Sequence, residues 1–286
     1  MHETETSQEK WSEIIKPKRN LLDFHFKEIW RYRDLLILLV RRDFVATFKQ
    51  TILGPLWHII NPVFSTITFT IIFANVAGIS TDGVPAPIFY YTGNMIWGYF
   101  SRCIQSTSGV FTGNQAIFSK VYFPRMIMPL STIVTSFIAF MIQMVILIVM
   151  WIYYYNQGAN IHLSAWAFMI PVMCLIMGFL GLSLGIIISS VTTKYRDLSM
   201  FVGFGIQLLM YCTPVIYPVS FVPEQYRFLL LLNPLAPVVE GFKYSILGVG
   251  TFDANMMFYS VGVTVFLLFI GLILFNKVEQ NFIDTV

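Results

Sequence analysis

The sequence predicts an all-α integral membrane protein with six transmembrane helices, an N-terminal amphipathic interface helix, and short re-entrant helices between spans five and six. Three observations carry that prediction. The chain has 286 residues and 33 charges, of which 18 fall in the first 50 positions; the remaining 236 residues carry about 6%, against the ~25% of soluble domains. Apolar residues make up 56% of the chain, with a mean hydropathy of +0.70. They come in continuous runs near the ~20 residues a helix needs to cross a bilayer core, rather than in the alternating tens of a barrel. The basic residues are segregated as a multi-pass topology requires, fifteen on one side and two on the other. This composition excludes a soluble globular enzyme, a disordered chain and a nucleic-acid binder, whose basic face is missing.

Residues 1–50 are expected to form a cytoplasmic N-terminal segment, and 51–286 the transmembrane domain. The first 34 residues are polar and mixed in charge, not a basic stretch followed by an apolar core, so the first span is expected to act as its own insertion signal. Over 21–50, Leu35, Leu36, Leu38, Leu39, Phe44 and Phe48 alternate with Arg31, Arg33, Arg41, Arg42 and Lys49. That stretch is too charged to span but has a helical apolar face. It reads as a helix in the cytoplasmic interface, with Arg31, Arg33, Arg41 and Arg42 toward lipid phosphates, or else as a soluble helix packed on a partner domain.

The first span is expected over 57–77 and is followed by a Gly/Pro-rich turn, 78–87. The second, 88–111, is the most polar, with Asn94, Arg102 and Gln105; a basic loop, 112–125, leads to the third, 126–154. The fourth, 165–191, carries Gly178, Gly181 and Gly185 in a row suited to close helix packing. The charged loop Lys194-Tyr195-Arg196-Asp197 precedes the fifth, 198–217. Residues 218–250 are apolar but broken by Pro218, Pro223, Pro234 and Pro237, so two short helices, about 224–232 and 236–247, are expected to dip in from outside and return. Broken backbone at that depth must pack on protein or line a cavity. The last span is expected over 256–275, leaving both termini cytoplasmic.

No G-x-x-x-x-G-K-[ST] loop is present, and the six spans hold no Asp or Glu, so neither ATP binding by this chain nor ion coupling through an intramembrane carboxylate is expected. Cys103, Cys174, Cys212 and the four scattered histidines have no metal-ligand spacing. If transport is the job, its energy is therefore expected from another chain.

The stretch Arg42-Asp43-Phe44, Phe48-Lys49-Gln50-Thr51-Ile52-Leu53-Gly54-Pro55-Leu56-Trp57 and Asn61-Pro62 resembles the start of the first span in polysaccharide and polyol-phosphate export permeases of the ABC-2 superfamily. Further matches follow in order: Gly93 and Trp97, Lys120-Val121-Tyr122-Phe123-Pro124-Arg125, Tyr195-Arg196-Asp197, Thr213-Pro214-Val215, and Val222-Pro223-Glu224 with Leu232-Asn233-Pro234-Leu235. The resemblance covers about 30–275 and is greatest to the O-antigen and teichoic-acid export permeases. It implies a homodimer of this permease with two ATP-binding cassette ATPase subunits in a bacterial cytoplasmic (inner) membrane. The cargo it implies is a lipid-linked polysaccharide (O-antigen-like, teichoic acid or capsule). No cofactor is expected in this chain; ATP and Mg belong to the partner subunit.

Beside that resemblance, Lys120, Phe123, Pro124 and Arg125 combine cations, a rigid Pro and an aromatic as an ATPase-coupling element, with Lys194, Arg196 and Asp197 as a second contact; both sets also satisfy the positive-inside rule. Aromatic faces suit passing sugar rings. Phe69, Phe73, Tyr90, Tyr91, Trp97, Tyr99, Phe201, Phe204 and Tyr211 are the candidates for a sugar channel, each also compatible with a lipid belt or core packing. Arg102 either meets the diphosphate of a lipid-linked substrate or snorkels and pairs with polar neighbours. A small-molecule or drug permease of the same superfamily, and a membrane-embedded envelope-glycan transferase, are the alternatives.

Overall fold

A computed structural model describes residues 26–49, 51–114, 117, 123–193, 195 and 197–282, and every regular element among them is helical. Helices α1 (Phe26–Arg31) and α2 (Arg33–Phe48) form a platform; α3 (Trp57–Phe69) holds Pro62 and runs on into a π-helical turn, Thr70–Val76. Helix α4 (Ala86–Ser108) begins with Pro87 in its first turn and gives way at Gly109 to a short turn of helix, α5 (Val110–Gly113). Helix α6 spans Ile127–Asn156, and α7 spans Ile170–Thr192 after a 3-10 turn at Ala165–Met169. Then come α8 (Leu198–Tyr211), α9 (Glu224–Leu231), α10 (Leu235–Leu247) and α11 (Ala254–Phe282).

Among the described residues, four helices are long and apolar enough to cross a membrane: Trp57–Val76, Ile127–Asn156, Ala165–Thr192 and Ala254–Val278. The expected count of six departs from this at two places, each with a physical reason. Helix α4 is 23 residues, about 35 Å at 1.5 Å per residue, so length is not the issue. It is less apolar because it is the central strut, packed by α3, α6, α7, α8 and α10, and protein rather than lipid surrounds it. Fourteen of its residues are buried. The fifth span stops at Tyr211, short of the expected 217. Pro214 lacks an N–H, and Thr213, Pro214, Val215 and Ile216 turn inward as buried, non-helical chain.

The seam between α4 and α7 is the closest in the fold. A Cβ on Gly181 would sit 2.5 Å from that of Cys103, one on Gly185 2.5 Å from that of Thr107, and one on Gly178 would strike the Tyr99 hydroxyl. The glycine row read from the sequence is therefore the row that α4 rests on. Helix α10 is buried almost throughout, against α4, α7 and α11, whereas α9 before it lies largely exposed. At the platform end, Leu39, Val110, Phe111, Phe123, Ile127, Leu182 and Phe275 make a second cluster joining α2, α5, α6, α7 and α11.

Candidate functional site

The broken segment after α8 is held by side chains that replace its lost backbone bonds. Asn233 Nδ2 donates to the Cys212 carbonyl at 3.0 Å and to Thr213 Oγ1 at 2.9 Å, while its Oδ1 accepts from Leu235 N–H at 3.0 Å and so starts α10. Lys243 Nζ donates to the Pro214 carbonyl at 2.6 Å and lies 4.0 Å from the centre of the Phe89 ring. Gly93 makes the approach possible, since a Cβ there would meet the Val215 carbonyl oxygen at 2.6 Å and Lys243 Cε at 3.2 Å. Glu240 Oε1 accepts from Val219 N–H at 3.2 Å, and Gly250, at φ +96°, leaves the space that Glu240 Oε2 fills. Tyr259 Oη and Ser260 Oγ each donate at 2.8 Å, to the Leu232 and Pro234 carbonyls. Gly93, Thr213-Pro214-Val215 and Leu232-Asn233-Pro234-Leu235, far apart in sequence, thus form one clasp. Lys243 and Glu240 are absent from the candidates that the sequence offers; the usable signal is an i, i+3 pair of opposite charges inside an otherwise apolar helix.

The exposed faces divide into two kinds. Over the middle turns of α6 the outward side chains include Met141, Val145, Ile148, Val149 and Ile152, and over those of α11 Val265, Phe266 and Phe269, all apolar, with exposed polar residues only toward the helix ends. Helix α3 is different: Trp57, Asn61, Phe64 and Thr68 recur at four-three-four spacing along one exposed face, which Ile71 and Asn75 continue. Helix α4 is covered on all sides but one, where Asn94, Gly98, Ser101, Arg102 and Gln105 lie in a row, half-buried or exposed. Arg102 Nη1 is 3.5 Å from His58 Nδ1 on α3, and Gln143 Nε2 of α6 donates to the His58 carbonyl at 3.0 Å.

The aromatic candidates separate accordingly. Phe201, Phe204 and Tyr211 project from α8 at 66%, 61% and 51% exposure, because α8 rests on the bundle through Ile206, Val202, Leu209 and Met210. Tyr90 and Tyr91 are fully enclosed, and Trp97 and Tyr99 nearly so. Tyr99 packs on Phe140 at 5.2 Å, and Tyr91 Oη donates to the Gln143 carbonyl at 3.1 Å. Phe69 and Phe73, half-buried, pair edge-on at 5.6 Å and both meet Tyr90 at 6.4 Å.

Of the coupling candidates, Phe123 is buried in the platform cluster, Pro124 and Arg125 are half-buried, and Asp197 is exposed at the start of α8. Lys120, Lys194 and Arg196 lie outside the described residues. On the platform, Leu39 and Val40 turn inward, while Ile37, Leu38 and Val45 share the outer side with the exposed Arg41 and Arg42. Arg31 and Arg33 are exposed as well; Arg33 lies 5.9 Å over the Trp30 ring, and Arg42 is paired with Asp43 at 2.7 Å.

Comparison with known proteins gives the same frame. Residues 34–247 match the ABC-2 type transporter family. An O-antigen export system permease protein of Klebsiella pneumoniae is 28% identical over 252 residues, covering 88% of this chain and 94% of that protein. A protein of the same description from Myxococcus xanthus is 26% identical, with 91% and 98% covered. A polysialic acid transport protein of Escherichia coli is 22% identical, with 84% and 91% covered.

Proposed function

The chain belongs to the ABC-2 type transporter family, and from that premise we propose that it is the transmembrane permease subunit of an ATP-driven polysaccharide exporter. Relatives matched along nearly their whole length are permeases for O-antigen and a transport protein for polysialic acid. The observation in the fold that supports this reading most is the polar row on α4 beside the mixed polar and aromatic face of α3. The side chains exposed over the middle turns of α6 and α11 are apolar, so a face bearing Asn61, Thr68, Asn94, Ser101, Arg102 and Gln105 belongs against water, sugar hydroxyls or a second copy.

In this reading two copies enclose a conduit between their α3, α4 and α8 faces. Phe201, Phe204 and Tyr211 offer flat rings to pyranose units, which slide over them without a charge to trap them. Tyr90, Tyr91, Trp97, Tyr99, Phe69 and Phe73 stiffen the wall behind. The platform end is cytoplasmic, both termini lie inside, and the membrane is the bacterial inner membrane. Two separate ATPase subunits bind ATP and Mg and press on the loops carrying Lys120, Phe123, Pro124 and Arg125 and Lys194, Arg196 and Asp197. Arg31, Arg33, Arg41 and Arg42 hold the platform on anionic lipid, and the cargo carries a lipid anchor.

The test is reconstitution of the purified chain with and without a separate nucleotide-binding subunit. Alone it should hydrolyse no ATP; the complex should hydrolyse ATP and move polysaccharide into sealed vesicles. Intrinsic hydrolysis by the lone chain, or a complex that moves drug-sized solutes and excludes polysaccharide, overturns the proposal.

A further inference from the structure

Arg102 is a mostly enclosed cation with an incomplete set of partners. Among the described residues its one hydrogen bond is the long 3.5 Å contact with His58 Nδ1, and its buried Nε has no acceptor among them. Among the described residues no carboxylate lies within ion-pair distance of it, and none exists in the spans to serve. Beside it Gln143, whose Nε2 donates to the His58 carbonyl, keeps a buried Oε1 without a partner. Buried polar groups are nearly always satisfied, and an uncompensated buried charge is the costliest of them. One side of Arg102 remains open, along the row that also presents Ser101 and Gln105.

We propose that Arg102 is an oxyanion subsite in the wall of the conduit, taking the phosphate or carboxylate of a group that enters the polar row. A guanidinium fork matches such an oxyanion in a way that a water or a sugar hydroxyl does not. Ser101 and Gln105 flank it as neutral donors. The oxyanion belongs either to a lipid headgroup or to the transported molecule itself, and the second source rests on the export reading above.

The test uses the full-length chain in nanodiscs of phosphatidylcholine alone or with phosphatidylglycerol. Native mass spectrometry counts retained phosphatidylglycerol, and the thermal midpoint is titrated with inorganic pyrophosphate. Wild type should respond to at least one probe. Arg102→Gln should bind that probe about tenfold more weakly or worse, the scale of one charge-assisted hydrogen bond. A difference confined to phosphatidylglycerol supports the site with a lipid headgroup as the source. A difference confined to pyrophosphate supports it with a soluble phosphate, such as one on the cargo. Identical responses of wild type and Arg102→Gln overturn the site. Should Arg102→Gln fail to fold, Arg102→Lys keeps the charge and loses the fork; weaker binding by it supports the site, and binding equal to wild type overturns it. None of these readouts needs export, so loss of transport with oxyanion binding intact counts against the export reading and leaves the site standing.

Discussion

Phe123 sits in a loop with Lys120, Arg125 and one proline, Pro124, which reads as an exposed anchor for another protein, yet the residue is 6% exposed. It packs among Leu39, Phe111, Ile127 and Phe275, so it fastens the loop to the permease and leaves Pro124 and Arg125 at the surface. Phe123→Ala should therefore cost about 3–5 kcal/mol of stability, as for a large core side chain. The denaturant midpoint of the isolated permease measures this. Arg125→Ala, at a half-buried position, should shift that midpoint by about 1 kcal/mol or less while lowering recovery of an ATPase partner on pull-down. A Phe123→Ala protein as stable as wild type removes the anchoring role. The loop's motif was legible in the sequence, but the burial of Phe123 was not. It depends on Phe111 and Phe275, and Phe275 lies 152 positions further on with no local pattern to link them. Glu240 and Lys243 were missed for a related reason. Charge in a membrane protein suggests a surface, and only the meeting of α10 with the Pro214 turn shows the two residues holding a clasp.

For whole helices, apolar runs and breakers in the sequence located most elements to within a few residues, although α11 runs seven residues past the expected 275, to Phe282, through a polar stretch that hydropathy does not count as span. What they did not reveal was which neighbour each face receives. The row Gly178, Gly181 and Gly185 was legible as a packing face because only small residues allow two backbones so close, and α4 is what it meets. Gly203 in α8 has nothing within 4 Å of a Cβ in the single chain. The two sites predict opposite responses. Gly181→Leu should drive side-chain atoms into Cys103 and the α4 backbone, costing about 1–3 kcal/mol or preventing folding. Gly203→Ala should be neutral or stabilise the monomeric chain by about 0.5–1 kcal/mol through helix propensity. Thermal midpoints in detergent, with monodispersity as the folding control, decide between them; equal effects at both sites would show that the α4–α7 seam is looser than described. The short fifth span was the element that pattern reading placed least well. The apolar run continues to Tyr217, so hydropathy sees no end, whereas Pro214 ends the helix and Asn233 and Lys243 take up the carbonyls left open.

Across the whole molecule, the two kinds of exposed face divide the bundle into a side for lipid and a side for something wet. Along their middle turns α6 and α11 turn apolar side chains outward, and burial in hydrocarbon costs those residues nothing; their exposed polar residues, Tyr153, Tyr155 and Asn156 on α6 and Asn255, Tyr259 and Lys277 on α11, lie toward the helix ends. Helices α3 and α4 expose Asn61, Thr68, Ser101 and Gln105, and an amide or hydroxyl in hydrocarbon loses its hydrogen bonds at several kcal/mol in water-to-cyclohexane terms. Single cysteines convert that division into a measurement. Cys103 and Cys174 are buried, so replacing the exposed Cys212 by Ser leaves a background without a reactive thiol. In that background Thr68→Cys and Gln105→Cys should react with a charged, membrane-impermeant thiosulfonate in sealed vesicles, since the thiolate that reacts forms only in contact with water. Val145→Cys and Val265→Cys, likewise exposed in the single chain, should stay unmodified behind lipid. If two copies enclose a conduit, saturating polysaccharide should slow labelling at Thr68 and Gln105 and leave the lipid-side positions unchanged. Labelling of Thr68→Cys as slow as Val145→Cys would place α3 in lipid and move the conduit elsewhere in the bundle.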